Sequence, residues 1–176
     1  MRGSRSRKLA TEDALYDCAI RALGRRMRSV AELKRLLRAR AAGPETEALI
    51  ERVVARLKER RYLNDAAYAA AYAGYRKEKE KFGRRRVISD LKARGVHSDV
   101  IAKAVGAVYD ASDEERLARD FLRRKRISKP ADNRAAARIF RNLLRAGFTS
   151  RTALRTLNHW DVDPEVLTAL ESEAPE

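Results

Sequence analysis

A chain of 176 residues with 40 Lys+Arg against 25 Asp+Glu carries a formal charge of +15, and only 8 Gly and 4 Pro interrupt a composition dominated by Ala, Leu, Arg and Glu. That is the make-up of a helical protein, and a positive excess of this size repels itself unless an anionic partner neutralises it, nucleic acid being the first candidate. Cys18 is the single cysteine, which excludes an intrachain disulfide and a four-thiolate zinc site, and no apolar run approaches the ~20 residues that span a bilayer.

Residues 1–10, Arg/Ser/Gly-rich from Met1 to Lys8, are expected to form a disordered basic tail. They carry positive charge with no apolar segment behind it, so no export signal is read and a cytoplasmic location is expected. Leu15, Ala19, Leu23 and Met27 then mark one face of a first helix. Ser29 with Glu32 makes a capping box that opens a second helix through Leu33, Leu36 and Leu37. Gly43 stops it, and Pro44 is expected to open a third helix bearing Leu49, Ile50, Val53, Val54 and Leu57.

Asp65 is expected to cap a helix carrying Tyr68, Tyr72 and Tyr75. Phe82-Gly83 turns the chain, Val87, Ile88 and Leu91 line the next helix, and Ser98 starts another. Ile139, Phe140, Leu143 and Leu144 belong to a later helix of the same kind. Asp163-Pro164-Glu165 starts a short final helix with Val166, Leu167 and Leu170, for which Trp160 is the packing anchor.

The elements repeat. Gly43, Gly95 and Gly147 are each 52 positions apart. In the same register Leu36, Ile88 and Phe140 are apolar, Thr46, Ser98 and Ser150 are hydroxylated, and Val53, Val105 and Leu157 are apolar. Asp13-Ala14-Leu15-Tyr16 returns 52 positions later as Asp65-Ala66-Ala67-Tyr68. The reading is a helix stopped by a left-handed Gly, a turn, and a Ser/Thr side chain capping the next helix.

Helical units that cannot bury their faces alone stack on their neighbours. The expected fold is therefore all-α: tandem three-helix repeats in a curved, elongated array with a short extra C-terminal helix. The units are expected over 11–62, 63–111 and, more degenerate, 112–158, with a capping helix and tail over 159–176.

These residues resemble the RecX family of bacterial recombinase regulators. Arg26-Met27-Arg28-Ser29-Val30-Ala31-Glu32-Leu33 is similar to the family's first-repeat signature, and Tyr62-Leu63-Asn64-Asp65-Ala66-Ala67-Tyr68-Ala69 to its Tyr-Leu-Asp-Asp-x-x-Phe/Tyr-Ala segment. Gly83 through Asp90-Leu91 to Gly95-Val96 resembles its second middle helix, and Arg145-Ala146-Gly147-Phe148 the end of its third. Asn64 stands where Asp is usual and Asp90 where Glu is usual; the tail from Trp160 onward has no counterpart. The resemblance implies an array that binds in the groove of the RecA filament on single-stranded DNA, restraining its strand exchange, ATPase and co-protease functions, with no cofactor and no enzymatic step.

The basic residues are clustered. Arg25, Arg26, Arg28, Lys34, Arg35 and Arg38 lie in a stretch, 21–40, whose one acid is Glu32. Lys81, Arg84, Arg85, Arg86, Lys92 and Arg94 form a second group, beside Arg76, Lys77 and Lys79. Arg134, Arg138, Arg141 and Arg145 step by 4, 3 and 4, placing all four on one helical face opposite Ile139, Leu143 and Leu144. These sixteen are the candidate nucleic-acid and filament-binding residues, although any single Arg on a helix is more often simply solvated. Lys34, Arg86 and Arg138 share one repeat phase; so do Arg25, Lys77 and Lys129.

Tyr68, Tyr72 and Tyr75 could stack on bases, but aromatics at helical spacing are more often core. His97 and His159 are isolated beside turns, and Asp110, Asp113, Glu114 and Glu115 suit a helix start better than a metal. No metal, phosphate-loop or nucleophile motif is found, so the chain is not expected to be an enzyme. A monomeric regulator binding a recombinase filament and single- and double-stranded DNA is the leading expectation. A helix-turn-helix transcription regulator and a protein scaffold with incidental charge are the alternatives.

Overall fold

The computed structural model describes residues 9–110 and 113–172, so the expected disordered tail falls, for residues 1–8, outside the described residues. Leu9 is ordered: its N–H donates to the Arg40 carbonyl (2.8 Å) and its carbonyl accepts from the Ala42 N–H (2.9 Å), in a parallel bridge with Ala41.

The described residues form ten helices: α1 (Glu12–Arg25), α2 (Val30–Arg40), α3 (Thr46–Glu59), α4 (Asp65–Glu78), α5 (Arg84–Ala93), α6 (Ser98–Val108), α7 (Glu114–Arg124), α8 (Asn133–Arg145), α9 (Ser150–Asn158) and α10 (Pro164–Ser172). α1 packs on α2 and α3, α4 on α5 and α6, and α9 on α7 and α8, while α10 lies on α9 and touches α8. The fold is the all-α tandem array of three-helix units that the 52-residue period implies, closed by a short C-terminal helix.

Each unit buries the stripe its sequence offers. In the first, Leu15, Leu33, Leu37, Ile50, Val53 and Leu57 are fully buried and form a core of their own. The second and third units and α10 share one core, joined through Phe82 against Phe121 and Phe121 against Phe148, each pair with ring centroids 5.9 Å apart. Each such aliphatic or aromatic side chain contributes about 1.5–3 kcal/mol by leaving water. Met27, expected on the face of α1, lies beyond its end and is 55% exposed.

Helix starts follow the expected chemistry with a shift of one residue. Ser29 and Glu32 make the capping box. The caps of α6 and α9 are His97 and Thr149, whose side chains accept from the N–H groups of Asp99 and Thr152; Ser98 and Ser150, expected as caps, are the first helical residues. At α3 the cap position is Glu45, and Thr46 donates its hydroxyl to the Gly43 carbonyl (2.8 Å), so Pro44 sits in the turn and does not open the helix. At α4 the cap is Asn64, which accepts from Ala67 N–H (3.0 Å). Asp65 is displaced from that role because its carboxylate is used elsewhere, on the N–H of Val30 in the first unit (2.8 Å).

That bond belongs to a junction the chain builds twice. The N-terminus of α2 abuts the C-terminal end of α5: Ser29 Oγ, fully buried, donates to the Arg94 carbonyl (2.6 Å), and a β-carbon on Gly95 would lie 2.5 Å from that of Ala31. The N-terminus of α5 abuts the C-terminal end of α8 in the same way, with Gly83 N–H donating to Ala146 O (2.8 Å) and Arg85 N–H to Gly147 O (3.1 Å). Donors at one helix start, the Ser29 hydroxyl at the first junction and the Gly83 and Arg85 N–H groups at the second, thus meet free carbonyls at another helix end. Gly95 and Gly147 hold φ of 74° and 93°, which a side chain would strain, and Ala31 and Gly83 occupy the same repeat position. The middle helices α8, α5 and α2 therefore run end to end.

Candidate nucleic-acid interface

The column of middle helices carries most of the candidate residues. The structure separates them into three groups by what they touch.

The first group is neutralised within the molecule. Lys34 Nζ lies 2.5 Å from Glu51, and Arg38 makes a two-pronged pair with Glu47 at 2.8 and 2.9 Å. The Glu47 bond raises the guanidinium of Arg38 above its ordinary value and holds the carboxyl below its own. Arg86 pairs with Asp90 (3.1 Å) and Arg26 reaches Glu32 at 3.9 Å.

The second group is structural. Arg94 donates to Glu32 Oε1 (2.8 Å) and to Tyr68 Oη (3.2 Å) and stacks over Tyr72 at 4.8 Å, tying the second unit to the first. Arg76, from the same basic stretch, is largely buried between Glu80, Asp90, Tyr72 and Phe82. Burial opposes the charge on both partners of the Arg76–Asp90 pair. The hydrogen bonds outweigh it: Arg76 ends up raised, and Asp90, accepting from Arg76 and Tyr72 and facing Arg86, ends up lowered. Burial, then the Asp90 bond, lifts Tyr72, and burial first lifts Tyr68.

The third group is free of carboxylate partners among the described residues. Arg25, Arg35, Arg84, Arg85, Lys92, Arg134, Arg138, Arg141 and Arg145 are exposed, with Arg145 touching only Asn142 Oδ1 (2.7 Å). Arg28 and Lys81 are half-buried and equally unpaired with acid. α8 contains no acid at all, and its four arginines stand out while Ile139 and Leu143 are buried beneath. Shared repeat phase does not mean shared surroundings: Lys34 and Arg86 are paired where Arg138 is not. In the other set, Lys77 donates to the Val108 carbonyl (2.6 Å), Lys129 lies 3.7 Å from Asp161, and Arg25 is unpaired.

Sequence reading passed over one further run, Arg124-Lys125-Arg126, exposed at the end of α7 and without carboxylate partners among the described residues; the run of like charge was the signal. The tyrosines divide. Tyr68 is core, Tyr72 is half-buried with its hydroxyl on Asp90 (2.9 Å), and Tyr75 is 57% exposed. The acids at the start of α7 are used by the protein itself: Glu114 accepts from Thr149 and Thr152, Glu115 pairs with Arg155 and Asp113 with Arg116. No cluster of His, Cys, Asp or Glu able to hold a metal ion occurs among the described residues, and no described helix is long and apolar enough to cross a membrane.

Comparison with known proteins agrees with this architecture. A family profile described as RecX, second three-helix domain, matches residues 64–105. The chain is 36% identical over 144 residues to the regulatory protein RecX of Leptothrix cholodnii, covering 80% of this chain and 87% of that protein. It is 36% identical over 138 residues to the regulatory protein RecX of Deinococcus radiodurans, covering 77% of this chain and 63% of that one. Among solved structures, RecX from Lactobacillus salivarius superimposes with a TM-score of 0.65 at 18% identity, over 85% of this chain and 96% of that chain.

Proposed function

The chain belongs to the RecX family, and from that premise we propose that it regulates homologous recombination and DNA repair by lying along the RecA filament formed on single-stranded DNA. Bound there, it restrains strand exchange, ATP hydrolysis and the filament's co-protease function. It acts as a monomer and performs no chemical step of its own; it works by occupying the groove.

The observation that carries this reading is the junction built twice, Ser29 and Gly95 between the first two units and Gly83 and Gly147 between the second and third. It sets the middle helices in a row, and along that row Arg35, Arg84, Arg85, Lys92, Arg134, Arg138, Arg141 and Arg145 are exposed, with no acidic partner among the described residues. A row of unpaired cations suits a long polyanion, single- or double-stranded DNA included, better than a compact ligand, because successive phosphates can be neutralised and their counterions released. The flanking candidates Arg25, Arg28 and Lys81 extend the same charge, while Arg26, Lys34, Arg38, Arg86 and Arg94 are each paired with an acid of the fold.

The test is single-strand-dependent ATP hydrolysis by the cognate RecA with the protein titrated in at moderate salt. A progressive fall in the rate supports the reading; an unchanged rate opposes it.

A further inference from the structure

The turn that ends α5, α7 and α8 also ends α3, with one difference. In each, the second residue past the cap returns its N–H to a carbonyl in the last helical turn: Val96 to Leu91 (3.2 Å), Ile127 to Leu122 (2.9 Å), Phe148 to Leu143 (3.1 Å) and Tyr62 to Leu57 (2.9 Å). An apolar residue there ordinarily folds back onto the helix. Val96 and Phe148 are buried, and Ile127 packs against the core. Tyr62 does not follow: it is 59% exposed, and the next residue, Leu63, takes the buried place. The turn residue before it is Arg61 at φ 60°, a left-handed position that Gly95 and Gly147 fill at their own helix ends, so a guanidinium stands where glycine would be the relaxed choice.

Tyr62 and Arg61 border a groove of about 130 Å³ where the first unit meets the second, lined also by Met27, Arg28, Asn64 and Tyr68, with no Asp or Glu in its wall. Met27 is 55% exposed. Arg28 Nε reaches the Ala22 carbonyl only at 3.5 Å, and neither Arg28 nor Arg61 meets a carboxylate among the described residues. An apolar peptide side chain could cover Tyr62 and Met27 but would leave both cations unmatched. A nucleotide offers a flat π-face to the ring and an anion to the guanidinium groups. In a duplex that face is hidden within the stack, so the matching ligand is an unpaired strand.

We propose that this groove is a subsite for one unpaired nucleotide of a single-stranded nucleic acid, its base stacked on Tyr62 and its phosphate held by Arg28 and Arg61. It deepens the reading above, since it rests on nucleic acid being within reach of the array, but none of the residues lining the groove belongs to the middle helices α2, α5 and α8.

The experiment is fluorescence anisotropy of the full chain with a labelled oligo-dT and with the same strand made abasic. Tyr62→Ala should weaken oligo-dT binding by roughly 5-fold to 100-fold and change abasic binding little, Tyr62→Trp should retain affinity, and melting temperatures should match because the ring is exposed. Equal binding of oligo-dT by wild type and Tyr62→Ala, or an equal loss on the abasic strand, overturns the subsite; a steep salt dependence in the same data would leave the reading of the row intact. Loss confined to the RecA filament, with bare strand unaffected, assigns the groove to a protein side chain and overturns it as well. No binding of either strand by the wild type overturns the subsite and removes bare single-stranded DNA from the partners proposed above.

Discussion

Gly83 and Gly147 meet backbone against backbone: a β-carbon on Gly83 would lie 2.4 Å from both the carbonyl carbon and oxygen of Gly147, and one on Gly147 would lie 2.2 Å from the nitrogen of Arg86. No flexible side chain can yield there, so two units of the array are held at a separation only glycine permits. Gly83→Ala should therefore cost about 1–3 kcal/mol, lowering the melting temperature by several degrees. By contrast Gly106→Ala, in a helix with nothing within 4 Å of the added carbon, should stabilise by about 0.5–1 kcal/mol. Calorimetry of the two variants checks both signs.

Ser29 is buried and serves two masters, accepting from Glu32 N–H (3.1 Å) and donating to the Arg94 carbonyl of the next unit (2.6 Å). Ser29→Ala removes a helix cap and strands a carbonyl, at a cost of about 1–3 kcal/mol. Urea unfolding should show the midpoint falling. A midpoint unchanged within error would mean that the first junction contributes nothing to stability.

Asp90 is held below the ordinary carboxylate range by Arg76, Tyr72 and Arg86, against the opposing effect of its burial. Its folded value lies below the unfolded value near 3.9, so its contribution is present at neutral pH and is lost as pH falls below about 4 through the folded value. Asp90→Asn should melt at a lower temperature than wild type at pH 7, and the gap should narrow at pH 3. A gap that is constant with pH would contradict the charged pair.

Glu47 and Glu51 occupy Arg38 and Lys34. Replacing both acids with Gln should free two cations on the first unit, raise affinity for single-stranded DNA, and steepen its salt dependence by up to ~1.4 in log–log slope. Anisotropy titrations over a salt series measure it; an unaltered slope would place α2 away from the strand.

The glycine period, the capping box and the Arg134–Arg145 face were legible in the sequence because each is a local pattern with a local cause. What was not legible is where long side chains go. Arg94 and Arg138 are alike in sequence, yet one is held between Glu32, Tyr68 and Tyr72 and the other is exposed, with no acidic partner among the described residues. Asp65 reads as a cap, and only the approach of Val30 from another unit gives its carboxylate a different donor. Tyr62 has no periodicity to mark it as exposed, since it sits in a turn where Leu63, one residue on, takes the buried place instead.

The most direct measurement is co-sedimentation of the protein with RecA filaments on single-stranded DNA, comparing wild type with a variant carrying Arg84→Glu, Arg85→Glu, Arg138→Glu and Arg141→Glu. These side chains are exposed and have no acidic partner among the described residues, so folding should be preserved and circular dichroism can confirm it. Wild type should pellet with the filaments and the variant should stay in the supernatant. A folded variant that pellets as fully as wild type would contradict binding through the row of middle helices.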